Sequence, residues 1–451
     1  MNTQNKMGTA PIPKLIWSMG LPMILSMMFQ AFYNIVDSYF VSSIPGAGDV
    51  SVNALTLSFP VQMLMVAIGV GTGVGVNAIL SRKLGAGKKE EANHIAGNAV
   101  FLGLCDFAVF FLFGLFGVRL FLQTQTSDPE VLNAAYTYLS ICTIYSFGVS
   151  LYMIYEKLLQ ATGRTTAAMA AQLTGAVTNI ILDPIMIFGL FGVPAMGVAG
   201  AAIATVIGQT VSLVIAMILH YGPHHMLDFK LSYLKPDGKI IKVIYEVGFP
   251  AILMQALMSV MTYSVNIIFG GVSASLVTAY GIYYKIQNFV FFAAFGLNNA
   301  LIPIVAFNYG KRDQTRVKEA ICWGMIDCIA MMAAGILIME TLGPNIVSIF
   351  SLSQETLDMC DTAVRIIAAG YVFAGANIAM QGIFQALGHG MRSLILSLLR
   401  LIIFALPLAF LLSRTADPGL TSWFAFPLAE AAAVVFGAAM LRNIRKQIAE
   451  I

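Results

Sequence analysis

The run from Ala167 to Phe191 reads AAMAAQLTGAVTNIILDPIMIFGLF, and its one charged residue is Asp183. Such a run suits one crossing of a bilayer, which takes about 20 predominantly apolar residues. A carboxylate near mid-bilayer costs about 2.5–3.5 kcal/mol on insertion scales, so these residues are rare and usually functional. Within Thr178-Asn179-Ile180-Ile181-Leu182-Asp183-Pro184, Asn179 and Asp183 are one helical turn apart and share a face. Pro184 has no amide hydrogen and disrupts the bond to the carbonyl of Ile180. Carboxylate, amide oxygen and freed carbonyl are the oxygen ligands a small cation prefers. A helix kink with a buried, hydrogen-bonded Asp is the alternative.

Composition extends this to the whole chain. Of 451 residues, 58% are hydrophobic and 10% charged, with a mean hydropathy of +0.82. A soluble domain carries about 25% charge. The fold class expected is an all-α polytopic membrane protein. No cleavable signal is apparent, because 12–41 is too long and lacks a small-residue cleavage site. The five cysteines form no CxxC pair and most lie in apolar runs, as small buried residues do. His224-His225 sits in a charged loop and the other histidines are scattered, so no metal centre or cofactor is expected.

Twelve spans are predicted, at 14–42, 53–82, 93–117, 131–157, 165–191, 195–220, 241–269, 275–309, 317–339, 357–386, 391–413 and 420–441. Of the 25 Lys and Arg, all but Arg119, Arg414 and the span residues Lys285, Arg365 and Arg400 fall on one side. The positive-inside rule then places both termini in the cytoplasm. The longest hydrophilic connection, 221–242, divides the chain into an N-lobe of spans one to six (1–220) and a C-lobe of spans seven to twelve (243–451).

The halves resemble one another. Gly20-Leu21-Pro22 is matched by Gly248-Phe249-Pro250, Gly87-Lys88 by Gly310-Lys311, and Gln160-Ala161-Thr162-Gly163 by Gln385-Ala386-Leu387-Gly388. Asp106 and Asp327 also fall at matching repeat positions of spans three and nine. Because six is even, such repeats are parallel, related by a pseudo-two-fold axis along the membrane normal. Transporters of this kind place their sites near the midplane.

Polar positions inside the spans form stripes. Gln30, Tyr33, Asn34 and Asp37 line one face of span one. If Asp37 and Asp183 both face the interior, two close carboxylates in low dielectric cannot both ionise without a compensating cation, whether a proton or sodium. A solvated Asp37 at the outer end of span one is the alternative. Thr205 in span six could add a hydroxyl ligand or bond its own backbone. Tyr138, Tyr145 and Tyr152 recur every seven residues in span four, and with 25 Met and 30 Phe suggest a plastic, aromatic-lined cavity. Gln255 in span seven and Asn377 in span ten belong to uncharged polar stripes.

These residues resemble the multidrug and toxic compound extrusion (MATE) family. The likeness rests on Gly-Leu-Pro with Tyr33-Asn34-Ile35-Val36-Asp37, Leu84 to Lys88, Gln160 to Arg164, Asn179 to Pro184, Gly197 to Thr205 and Asn298 to Gly310. It implies two six-helix lobes around a central cleft, exporting amphipathic, often cationic compounds against an inward proton or sodium flux. It also implies that Asp37, Asn179, Asp183 and Thr205 bind the coupling cation, with Gln30 and Tyr33 at cleft positions. One branch of the family carries acids in spans seven and ten. Here Met258 and Phe373 to Asn377 stand instead, which puts a C-lobe cation site in doubt and makes the chain look closer to the MepA-like bacterial branch.

Drug efflux is therefore expected, with amphipathic small molecules and the bilayer as partners, in a bacterial inner membrane, by a monomer without nucleic acid. A flippase of lipid-linked oligosaccharides, or an exporter of an endogenous metabolite, is the alternative. Handling pyrophosphate lipids should require several cleft Arg or Lys, and only Lys285, Arg365 and Arg400 lie within spans. No HExxH, nucleophile or Walker motif points to an enzyme.

Overall fold

The computed structural model describes residues 5–223, 225–347 and 354–449; His224 and the first four residues lie outside them. Every regular element among the described residues is helical. The first half contains α1 (Ile12–Ser42), α2 (Gly48–Gly85), α3 (Lys89–Phe116), the short α4 (Val118–Gln123), α5 (Pro129–Ile144), α6 (Phe147–Ala161), α7 (Thr165–Phe188) and α8 (Val198–Tyr221). The second contains α9 (Gly238–Gly270), α10 (Ala274–Gly310), α11 (Gln314–Val347), α12 (Gln354–Ala368), α13 (Tyr371–Ala386), α14 (Gly390–Leu398), α15 (Ala405–Leu412), α16 (Pro418–Thr421) and α17 (Ala425–Ala449).

Ten stretches are long and apolar enough to cross a membrane, and two bent pairs bring the number to twelve if each pair is one span. Spans four and ten, expected at 131–157 and 357–386, are these pairs: α5 and α6 meet at 47°, α12 and α13 at 53°. The bend breaks the Tyr stripe of span four. Tyr138 and Tyr152 are buried, while Tyr145, at the break, is 53% exposed. At the second break, a Cβ on Gly370 would stand 2.7 Å from the Cα of Pro427, so a larger residue would push α17 away.

Helix ends follow local chemistry. Asp128 caps α5 by accepting from the amides of Glu130 and Val131, at 2.9 and 3.4 Å. Ser273 caps α10 through the amide of Leu276 at 3.1 Å. Gly189, with φ of 75°, stops α7 in the left-handed conformation that glycine adopts without steric cost.

The loops correct the register of the repeat. α2 ends at Gly85 and α10 at Gly310; two residues on, Gly87 and Arg312 have positive φ of 73° and 61°. The amide of Lys88 then reaches the carbonyl of Lys83 at 3.0 Å, and that of Asp313 the carbonyl of Asn308 at 3.1 Å. Gly310 thus corresponds to Gly85 rather than Gly87. Counted from the helix starts at Lys89 and Gln314, Asp106 and Asp327 lie one turn out of register. The Gly163 and Gly388 match holds, with φ of 79° and 82°.

Two compact units are present. One comprises Met1–Ile24, Gly85–Gly87 and Glu246–Ile451, the other Leu25–Leu84 and Lys88–Tyr245. In the first, Phe269 packs edge-on against Tyr280 and Trp423, with ring centroids 5.7 and 5.5 Å apart. The N-terminal segment is fastened to it. Arg316 donates to the carbonyls of Met7 and Ala10, at 3.0 and 2.7 Å, and to Asn308 at 2.9 Å. In the second unit, the connection before α9 lies on α3. Asn98 donates to the carbonyls of Tyr233 and Lys235 and accepts from the amide of Asp237 at 2.8 Å. Lys89, 2.8 Å from Asp228, holds that carboxyl below the usual carboxylate range.

Candidate functional site

The site lies within the second unit, on the later part of α1 and on α5, α7 and α8. α7 and α8 pack closely because both are glycine-rich where they touch. A Cβ on Gly208 would stand 2.8 Å from the carbonyl of Gly175. This contact puts Thr205 opposite Asn179.

Asn179 and Asp183 are both buried. The Nδ2 of Asn179 donates to Oδ1 of Asp183 at 3.2 Å and to Oγ1 of Thr205 at 3.4 Å. Thr205 therefore faces Asn179, unlike Thr210, whose hydroxyl donates to its own helix at 2.8 Å. The Asp37 and Asp183 carboxyls are close enough to act on one another electrostatically. Asp37 is part-buried, with its Oδ1 shielded from solvent. Tyr33, Tyr138 and Cys142 stand around the pair, and Tyr138 accepts from Gln62 at 3.4 Å.

Three oxygens here are buried without a hydrogen-bond partner among the described residues: Asp37 Oδ1, Asn179 Oδ1 and Asp183 Oδ2. Buried polar atoms are normally satisfied, so each such exception calls for a physical cause. All three are acceptors. Together with the Thr205 hydroxyl, they form the hard oxygen set that suits a small cation or a shared proton.

Gln30 is tied to α7 rather than to the acids themselves. Gln172 donates to Gln30 Oε1 at 3.1 Å and accepts from Ser26. Gln172 was not among the expected residues, although it lies seven residues before Asn179 on the stripe that continues to Asp183. Asn34 is exposed and contributes only its carbonyl, which accepts from Ser38 at 2.9 Å.

Gln255 and Asn377 belong to the other unit. Gln255 is exposed. Asn377 is fully buried and donates to the carbonyl of Glu430 at 3.0 Å and to its Oε2 at 2.8 Å. The other carboxylate oxygen of Glu430 accepts from Arg400 Nε. This pairing was missed because Glu430 and Arg400 lie on different spans, and periodicity orients residues only within one. The carboxylate there is already matched by a cation of the protein.

The family model described as MatE matches residues 22–185 and 250–411, segments that start on Pro22 and Pro250. Among curated proteins, the chain is 26% identical over 393 residues to a multidrug export protein MepA of Staphylococcus saprophyticus, covering 87% of this chain and 85% of that one. It is 24% identical over 391 residues to the MepA protein of Staphylococcus aureus strain N315, with the same coverage. Among solved structures, the outward-facing conformation of a multidrug resistance MATE family transporter of the MOP superfamily matches with TM-score 0.92 at 24% identity, over 100% of both chains. A MATE protein in a bent conformation matches with TM-score 0.89 at 24% identity, over 98% of this chain and 97% of that one.

Proposed function

Since the chain belongs to the MatE family, we propose that it is a secondary multidrug efflux transporter that exchanges amphipathic, often cationic compounds for a proton or sodium ion. The observation that carries this is the trio of buried, unpartnered oxygens on Asp37, Asn179 and Asp183. With neither a proton nor a metal ion between them, the two carboxylates repel at short range in a medium of low dielectric. A cation relieves that repulsion and lets the oxygens of α1 and α7 converge. An amphipathic cation that offers its own charge near the same acids competes with it. Export then follows from the exclusion of one by the other, with the ion gradient setting the direction. The names of the similar MepA proteins support drugs as the cargo.

The one-sided Lys and Arg support cytoplasmic termini, and this reading has the spans in a bacterial plasma membrane. The protein acts as a monomer in this reading. Dye uptake into inverted vesicles, under separately imposed proton and sodium gradients, is the test. Acceleration by one gradient is expected; indifference to both would remove the coupling role.

A further inference from the structure

We propose that the unit containing α9 to α17 holds a second binding site, for a small planar carboxylate, with Arg400 as its anchor. A cavity of about 50 Å³ opens there, lined by Met258, Tyr284, Gln287, Phe291, Arg400 and Glu430 among others. One water needs roughly 10–15 Å³ and a cavity of about 150 Å³ holds benzene, so the space suits the carboxylate head of an aromatic or fatty acid rather than a whole drug.

The donors left free in the cavity suit an anion. The side chain of Arg400 is 7% exposed and that of Glu430 14%. Arg400 engages Glu430 through Nε alone, and its guanidinium carbon lies 5.9 Å from the centre of the Phe291 ring. Its two terminal nitrogens make no hydrogen bond among the described residues. They leave a planar fork of donors, the geometry that pairs bidentately with a carboxylate. Glu430 offers nothing comparable to a cation, since one oxygen accepts from Arg400 and the other from Asn377.

The backbone is modified where Arg400 is placed. Leu399–Phe404 is a π-helical segment between α14 and α15, followed by Pro407, which cannot donate to the carbonyl of Ile403. Such segments interrupt α-helices rarely and often at functional sites. Counted from the helix starts at Thr165 and Gly390, Arg400 takes the place that Gly175 holds in the first half. Where the first half closes two helices together, the second presents a buried cation to a cavity.

The test is equilibrium binding of radiolabelled benzoate and of its neutral isostere benzamide to the purified full-length protein. No ion gradient is involved, so the result is independent of the coupling role of Asp37 and Asp183. Benzoate should bind the parent protein roughly ten- to hundred-fold more tightly than benzamide, as a hydrogen-bonded charge would give. In Arg400→Gln/Glu430→Gln that preference should vanish while benzamide still binds. Glu430→Gln alone removes the competing carboxylate and should tighten benzoate. Displacement of benzoate by oleate and not by phenylacetate would place a membrane fatty acid in the site, and the reverse a soluble aromatic acid. Equal binding of benzoate and benzamide to the parent, or weaker benzoate binding in Glu430→Gln, would overturn the proposal.

Discussion

Asn179 and Asp183 stand one turn apart on α7, and the amide of the first donates to the carboxylate of the second at 3.2 Å. The same amide nitrogen lies 3.4 Å from Thr205 Oγ1, so the NH2 side of the amide is engaged and its carbonyl oxygen is left buried and unpartnered. Asn179 thus orients the acid and offers a ligand.

Replacing Asp183 by Asn should abolish coupled export while leaving expression intact, because shape is kept and the titratable charge is lost. Asp37→Asn should behave the same way. Export of a cationic dye at the parental rate in cells carrying either variant would sink the acid-pair mechanism.

Asn179→Ala removes a hydrogen bond to a charged group, an interaction that contributes about 1.5–3 kcal/mol. The apparent affinity for the coupling ion should fall by roughly ten- to hundred-fold on that scale. Dye efflux measured against increasing proton or sodium concentration gives the shift; an unchanged half-saturation point would show that Asn179 is only packing.

Asn377→Ala leaves Glu430 Oε2 without its amide donor and should lower stability by about 1–3 kcal/mol. Thermal unfolding in detergent reads this. Neither this variant nor Gln255→Ala should alter the pH or sodium dependence of efflux. If ion dependence were lost in Asn377→Ala, a coupling cation would have to be assigned to the second half.

Gly175→Ala should destabilise the α7–α8 contact by about 1–3 kcal/mol, the usual cost of overpacking. The new methyl group would overlap Ser212 Oγ and the carbonyl of Gly208. An unfolding midpoint equal to the parent would show that the two helices separate freely.

Pro22 lies within α1, two residues before the division between the units passes through that helix at Ile24 and Leu25. A proline leaves its helix short of one hydrogen bond and easier to bend. Pro22→Ala should therefore slow turnover more than it weakens drug binding. Affinity and transport rate measured on one purified variant decide the matter: equal losses in both would mean that Pro22 shapes the site, and no loss of rate would remove the hinge.

The sequence by itself determined the spans, the repeat and the inward face of α7. Runs of apolar residues measure out a bilayer, and a fixed helical period places Gln172, Asn179 and Asp183 on one side whatever surrounds them. Tertiary structure decided what touches that side. The breaks in spans four and ten depend on how closely neighbouring helices approach, as Gly370 against Pro427 shows. So does the choice of partner. Glu430 meets Arg400 and Asn377, because the rotation of each helix about its own axis is fixed by packing between spans rather than by the residues of any one of them.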